Sequence, residues 1–393
     1  MQNIINGKNV DASDKSVLKI TNPYTGRLID TVPNATKKDV NRAVAYANKA
    51  QQKWAKVPVY QKAEILKRFL TLVEENRDDL AKTLCMETGK PISQAYGEID
   101  NIFISFEAFI EKAKHLYGNV IPAGTEKGQD NTLQFTVREP LGVMVAIIPF
   151  NFPCDLFDQK VAPAILAGNA VIVKPPHQNP LTLIKLVGLL HEAGLPAGVV
   201  QILAGEGAKA GEALAKHPDV YGITFTGSTK VGKATYLNGA AHLAHVALEL
   251  GGNDAFIVLS DADLDLAADE VVWGRMYNTG QVCCASKRFI VQKDVLRQFE
   301  KKVIERISKL VVGNPLSKKT DIGCLVTKSA CERAVAQIEN VVAQGGKIIY
   351  GGQHKGAVLQ PTIITDIPKT ADVAKDDEIF APVVSIIPCK DVE

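Results

Sequence analysis

A chain of 393 residues is too long for one core of usual size, so two or three domains are expected. Its 46% hydrophobic and 22% charged content suits a globular protein and excludes a disordered one. A net charge of +2, with the basic residues dispersed, gives no footing for nucleic acid or an acidic membrane, and no apolar run is long enough to cross a bilayer.

The opening run from Met1 to Lys8 has no apolar signal core. The seven cysteines are odd in number, and their only close pairs are Cys283/Cys284 and Cys324/Cys331. This is no disulfide framework, and it points to a reducing cytoplasm.

Residues 38–118 read as helical. Val40, Ala43, Val44 and Ala47 recur at helical spacing, as do Ile65, Leu66, Phe69, Leu70 and Val73, and Pro58 and Pro91 mark breaks. Asn119 to Glu139 is polar and turn-rich, but Leu133 to Val137 alternates like a strand, so this stretch reads as a β-excursion between domains. From residue 140 short apolar runs (142–148, 170–173, 199–203, 222–225, 245–248, 255–259) alternate with helical patterns (155–166, 181–193, 208–216). That alternation implies an α/β fold with a parallel sheet covered on both faces. Further on, 261–278, 294–311 and 329–344 read as helices, with strands at 289–291 and 347–350.

In such a fold the loops after the strands gather at the carboxyl edge of the sheet, where ligands bind. Three motifs fall there. In Ile148-Pro149-Phe150-Asn151-Phe152-Pro153 an amide N–H held between two prolines can point at a developing oxyanion, although the same run makes good loop punctuation. Lys174, at the end of a buried strand, can reach a ribose or phosphate, or simply be solvated. In Gly227-Ser228-Thr229-Lys230-Val231-Gly232 the glycines admit an anion and Ser228 and Thr229 can cap the next helix; the spacing is not that of the dinucleotide fingerprint.

Two further runs carry reactive groups. Gly280-Gln281-Val282-Cys283-Cys284 offers a thiol among small residues, and Glu249-Leu250-Gly251-Gly252 offers a carboxylate before a Gly-Gly turn. A thiolate is a strong nucleophile, and a carboxylate can activate it or a water. No His or further Cys near Cys283 completes a zinc site, so no metal is expected. A buried free Cys is more often an inert hydrophobe; what raises the nucleophile is the whole set of thiol, carboxylate, amide donor and phosphate loop on one scaffold.

Taken together, Pro149–Pro153, Lys174-Pro175, Gly227–Gly232, Glu249–Gly252, Gly280–Cys283 and Glu378-Ile379-Phe380-Ala381-Pro382 resemble the aldehyde dehydrogenase superfamily, in order and spacing, from about residue 15 to the end. The resemblance implies two parallel-sheet α/β domains plus a β-arm: a discontinuous, Rossmann-like NAD(P)-binding domain (1–120 and 140–250), an oligomerisation arm (121–139) and a catalytic domain (251–393) that is short at its C-terminal end. It implies a cytoplasmic enzyme, a homodimer or homotetramer where the family's C-terminal tail is present. It also implies that Cys283 attacks an aldehyde, that Asn151 and the Cys283 N–H hold the oxyanion, and that Glu249 activates the hydrolytic water, with Lys160 nearby. Cofactor contacts are implied for Ile148, Pro149, Phe150, Lys174, Gly207, Gly227, Ser228, Glu378 and Phe380. Cys284 becomes a bystander.

Three departures refine the expectation. His177 stands where NAD-preferring members carry Glu, which suggests dual or NADP-leaning use. Gln159 stands where succinate-semialdehyde members carry Arg, and Val282 precedes the nucleophile where phosphate-binding members carry Arg. These favour a small neutral or hydroxylated aldehyde, of the lactaldehyde or glycolaldehyde kind, with a semialdehyde kept beside it, over glyceraldehyde 3-phosphate. Ala381 replaces the usual Gly. A coenzyme A-acylating enzyme and an inactive family member remain as alternatives.

Overall fold

The structure of the protein, a computed structural model, describes residues 1–391. Its larger sheet has seven strands in the order His245–Glu249, Gly222–Thr226, Val143–Ile147, Ala170–Lys174, Val200–Ile202, Asn3–Ile5 and Lys8–Val10. The first five run parallel and the last two are antiparallel additions. The central strands are continuous apolar runs because both faces are covered. Along them alternate residues serve opposite cores. Ala146, Val171 and Val173 join one, while Val143, Val145, Ala170 and Ile172 join the other.

Helix Lys37–Trp54 begins with a capping box, in which Thr36 accepts from the Asp39 N–H and Asp39 accepts from the Thr36 N–H. Its stripe Val40, Ala43, Val44 and Ala47 is fully buried against the sheet. Pro58 and Pro91 stand just before the helices Val59–Glu75 and Ile92–Ala113, as the sequence predicts. A further break at Asn76, which separates off Arg77–Thr88, carries no proline and escapes the pattern.

The second sheet has five strands in the order Asp254–Val258, Ser286–Gln292, Val383–Cys389, Thr362–Thr365 and Lys347–Tyr350, the last one antiparallel. Helices Leu264–Met276, Lys293–Ile307 and Lys328–Ala343 pack on it. The polar stretch after residue 119 contains the two-stranded ribbon Val120–Ile121 with Gln134–Phe135. No described helix is long and apolar enough to cross a membrane.

Two readings need correction. The helix expected over 208–216 is a π turn, Gly207–Gly211, followed by one α turn, Glu212–Ala215, because two glycines weaken the α ladder there. The strands within residues 3–33 and at Val383–Cys389 went unread. The former are short, three to six residues each, with only Lys8–Val10 at the sheet edge and Val17–Thr21 and Leu28–Pro33 in a separate ribbon, and the latter contains Pro388.

Candidate active site

Strand Val143–Ile147 has Ala170–Lys174 on one side and Gly222–Thr226 on the other, so the chain order reverses beside it. A crevice opens at such a switch point, outside the carboxyl ends of the strands. Here it is a cleft of about 510 Å³. One wall is the loop Pro149, Phe150 and Asn151, a second is Thr226, Gly227 and Ser228, and Leu250 and Gly251 close the edge. The second sheet supplies Gln281, Cys283, Glu378 and Phe380, and helix Lys328–Ala343 supplies Ala330, Arg333, Ala334, Ala336 and Gln337.

Cys283 is half-buried and Cys284 exposed. Burial holds the Cys283 thiol above its ordinary pKa, the adjacent Cys284 adds to this, and the Lys287 ammonium pulls it back down. The loop leading to it is held in a costly shape. Asn278, Thr279 and Gly280 have φ of 50°, 56° and 72°, three left-handed residues in a row. Each non-glycine one costs about 1–3 kcal/mol and needs a surround that over-determines it. At Gly280 a side chain is barred, since a Cβ would lie 2.3 Å from the carbonyl carbon of Ala381.

That surround is a network of buried polar groups. The Asn278 N–H donates to Gln94 Oε1 at 2.9 Å, and Asn278 Nδ2 donates to the Asn151 carbonyl at 2.9 Å. The same carbonyl accepts from Lys90 Nζ at 2.9 Å. Lys90 forms a fully buried ion pair with Glu98, whose other oxygen accepts from the Cys154 N–H at 2.7 Å. Asn151 Nδ2 donates to the Gln281 carbonyl at 3.1 Å, which aims the amide at the nucleophile loop. Arg275, 1% exposed, donates from Nε to the Val383 carbonyl at 2.6 Å, from Nη1 to Gly280 at 3.2 Å and from Nη2 to Ile379. Burial pulls its pKa down to about 10, against the opposing pull of Glu378. One guanidinium thus joins the nucleophile loop to the loop that carries Glu378.

Glu378 reaches across the cleft mouth. Its carboxylate lies so near Gly251 that a Cβ there would be 2.2 Å from Oε2. Lys287 pairs with Glu378 at 3.1 Å, and Gln337 Nε2 donates to its backbone carbonyl at 3.1 Å. Phe380 meets Phe150 edge to face, with ring centroids 6.0 Å apart. Thr226 Oγ1 is buried without a hydrogen-bond partner, and Glu378 Oε1, buried too, has the Lys287 ammonium at 3.1 Å but accepts no hydrogen bond. An unpartnered hydroxyl and a carboxylate that accepts no hydrogen bond, on facing walls beside an aromatic pair, suit a polyhydroxylated, flat-ringed group such as a nicotinamide nucleoside. The residues present therefore fit the cofactor that the sequence suggests.

The remaining expected residues lie outside this cleft's lining. Glu249 is exposed at the end of edge strand His245–Glu249. Lys160 is buried on helix Pro153–Leu166 and donates to Thr224 Oγ1 at 3.1 Å; burial lowers its pKa to about 8 against the pull of Glu249. Lys174 is no solvated strand-end lysine. It is 4% exposed, donates to the Pro175 carbonyl at 2.9 Å, and is brought by burial to about 8. Ile148 is buried in the core, and Gly207 is exposed at the π turn. Ser228, by contrast, lines the cleft at the N-cap position of helix Thr229–Ala240, but its side chain caps nothing, contrary to expectation.

Sequence reasoning missed Lys90, Glu98, Arg275 and Lys287, and, although it read the helix at 329–344, it did not place that helix on the cleft. Only Lys287 had a readable signal. It takes the inward place in the alternation Lys287, Phe289, Val291, where a charge is out of pattern. The others touch partners more than 40 residues away, which no local pattern reports.

Comparison with known proteins shows the family and the fold. The family model described as "Aldehyde dehydrogenase family" matches residues 10–393. Glutarate-semialdehyde dehydrogenase of Pseudomonas putida is 38% identical over 391 residues, covering 99% of this chain and 80% of that protein. Succinate-semialdehyde dehydrogenase [NADP(+)] of Escherichia coli is 34% identical over 393 residues, covering 99% and 80%. The crystal structure of a betaine aldehyde dehydrogenase point mutant from Staphylococcus aureus, in complex with NAD+, superposes with a TM-score of 0.95 at 30% identity, covering 99% of this chain and 80% of that one. The chain belongs to the aldehyde dehydrogenase family and is an aldehyde-oxidising oxidoreductase.

Proposed function

We propose that the chain oxidises a small neutral or hydroxylated aldehyde to its carboxylic acid through a thioester on Cys283. The observation that carries this is the single cleft in which Cys283, Asn151, Glu378 and Phe380 converge. The Cys283 thiolate adds to the aldehyde carbon, forming a C–S bond and an oxyanion. Asn151 Nδ2 and the Cys283 N–H stabilise that charge. NAD(P)+, when bound, supplies the hydride acceptor. Glu249 takes a proton from water, which attacks the resulting thioester; the acid leaves and the thiolate returns. Exposure at a strand end suits Glu249 to that task, because a base for water needs water at hand. Lys160, close enough to feel the Glu249 charge, is poised to steady the carboxylate. The reading assigns 1–120 and 140–250 to cofactor binding, 121–139 to the arm and 251–393 to catalysis.

The neutral substrate is supported by the charges beside Asn151. Lys90 is consumed by Glu98 and the Asn151 carbonyl. Asp155 and Asp158, on the helix that follows, are pushed by burial up to about 7 and about 9. Among the described residues that side offers no cation free to pair a substrate carboxylate; Arg333 lines the cleft from the other side, on helix Lys328–Ala343.

For the cofactor, we read His177 as permitting NADP. Burial and the nearby Lys174 ammonium hold its pKa below the ordinary value, while Glu206 pulls the other way. His177 is then neutral at pH 7, neither repelling nor strongly binding a 2′-phosphate. The NADP share of turnover should rise as pH falls and the imidazole gains its proton. Negligible NADP turnover at every pH would remove this reading.

The deciding experiment follows NAD(P)H absorbance with a panel of neutral, anionic and cationic aldehydes, with and without coenzyme A. Turnover of neutral aldehydes without coenzyme A supports the proposal. Turnover that requires coenzyme A supports the acylating alternative, and preference for a semialdehyde overturns the substrate class.

A further inference from the structure

Lys287 is 2% exposed, on the inward face of strand Ser286–Gln292 with Phe289 and Val291. A buried ammonium is costly unless fully partnered. Its partners here are not an arbitrary surface charge. Nζ donates to the Cys283 carbonyl at 2.5 Å and to the Ala285 carbonyl at 3.3 Å. It also pairs with the Glu378 carboxylate at 3.1 Å. One cation thus touches the backbone of the reactive thiol and the carboxylate on the opposite lip of the cleft.

The other charges around this contact have their own partners. Arg275, behind Glu378, spends its N–H groups on the Val383, Gly280 and Ile379 carbonyls. Glu249, before the Gly251 turn, is exposed, and its charge is felt by Lys160. Cys284 is the remaining titratable neighbour of Cys283 and is exposed. Glu378 cannot swing inward past the Gly251 backbone, as the close approach there shows.

We propose that Lys287 is a positioning residue that ties the Glu378 carboxylate to the peptide of Cys283, so that the cofactor-holding group and the nucleophile move as one unit. The inference rests on the proposed roles of Cys283 and Glu378 and adds the residue that couples them. With its ammonium beside the thiol, Lys287 favours the thiolate. With one carboxylate oxygen engaged by Lys287, Glu378 keeps its other lone pairs for hydroxyl groups entering the cleft.

The test uses Lys287→Met and Lys287→Arg in a Cys284→Ser background, with melting temperature and circular dichroism confirming the fold. Two readings are taken: the pH dependence of Cys283 alkylation by iodoacetamide, located by mass spectrometry, and KM against kcat for NAD(P)+. Lys287→Met should move the alkylation midpoint up by roughly one pH unit and raise the cofactor KM roughly tenfold, with a smaller change in kcat. Lys287→Arg, which keeps the charge and donors, should restore most of both. A role in folding alone lowers the melting temperature but moves neither midpoint nor KM, and that result overturns the proposal, as does an arginine variant no better than the methionine one. If Lys287→Met does not fold, Glu378→Gln probes the link from its other end. The freed ammonium then serves only the Cys283 peptide, the midpoint falls, and an unchanged midpoint overturns the proposal. Alkylation needs no turnover, so a chain inactive on every aldehyde but with a Lys287-dependent midpoint removes the proposed function and leaves this link standing.

Discussion

The two segments that bring reactive groups to the cleft are built in opposite ways. The nucleophile loop 278–283 is strained and pinned from all sides. Arg275 and Lys287 hold its Gly280 and Cys283 carbonyls, Asn278 ties it to the Asn151 carbonyl that Lys90 also holds, and Gly280 sits against the Ala381 backbone. The segment that ends in Glu249 is an edge strand with every second residue exposed, and its carboxylate lies in the open. The contrast fits the proposed division of labour. A group that must meet a carbonyl carbon within a few tenths of an ångström needs a rigid seat, whereas one that takes protons from water needs solvent and reach. Substitutions of the residues that pin the loop should therefore cost stability and activity together, whereas loss of the Cys283 thiol itself should cost activity alone. Those at the open edge should cost activity alone.

The largest effect tests the pinned side. Cys283→Ala should reduce NAD(P)H production by about 10⁴-fold or more, with the fold kept, because no other group can form the thioester. Residual turnover within a hundredfold of the parent would mean that Cys284 or a direct hydride route carries the reaction. Next, Arg275→Met strands three buried carbonyls and should cost about 3 kcal/mol in denaturant unfolding, with activity lost in parallel. If activity falls while stability stays, Arg275 is not the tie between the two loops. At the open edge, Glu249→Gln should leave the melting temperature unchanged and slow the steady state by about 10²-fold, while a rapid burst of NAD(P)H survives. Loss of the burst together with the steady state would show that Glu249 serves thiol activation rather than hydrolysis.

The smallest effect concerns the polar seam behind Asn151. Burial and the neighbouring Asp155 raise the Asp158 carboxyl to about 9, and both its oxygens lack hydrogen-bond partners. A carboxyl raised in the folded state is stabilising only while protonated. Its contribution is complete below the unfolded pKa near 4 and is lost as pH rises toward 9. Asp158→Asn should raise the melting temperature at pH 8 by roughly 2–4 °C for each kcal/mol regained, and the gain should vanish by pH 4. A gain that persists at pH 4 would assign the effect to packing instead.

The features that local chemistry controls were readable in advance. The helices Lys37–Trp54, Val59–Glu75 and Lys328–Ala343 announce themselves through 3.6-residue periodicity, and Pro58 and Pro91 through the rigid φ of proline. Fully buried strands such as Ala170–Lys174 show as unbroken apolar runs. Gly227, Ser228 and Cys283 stood out because small residues beside a reactive or anion-binding group are rare without a reason. The short strands near the N-terminus did not stand out, since three residues carry too little periodicity to recognise.

By itself, then, the sequence determined the alternation of β and α units, the loops that face the carboxyl edge, and the residue types able to form and hydrolyse a thioester. Each of these depends on neighbours within a turn or two of the chain. Only the tertiary structure decided that Glu378 lies against Gly251, that Arg275 joins two loops about a hundred residues apart, and that Lys287 turns inward to both Cys283 and Glu378. The reason is physical. A buried charge is tolerated only where distant backbone and carboxylate groups converge to replace its water, and that convergence exists only once both sheets have formed.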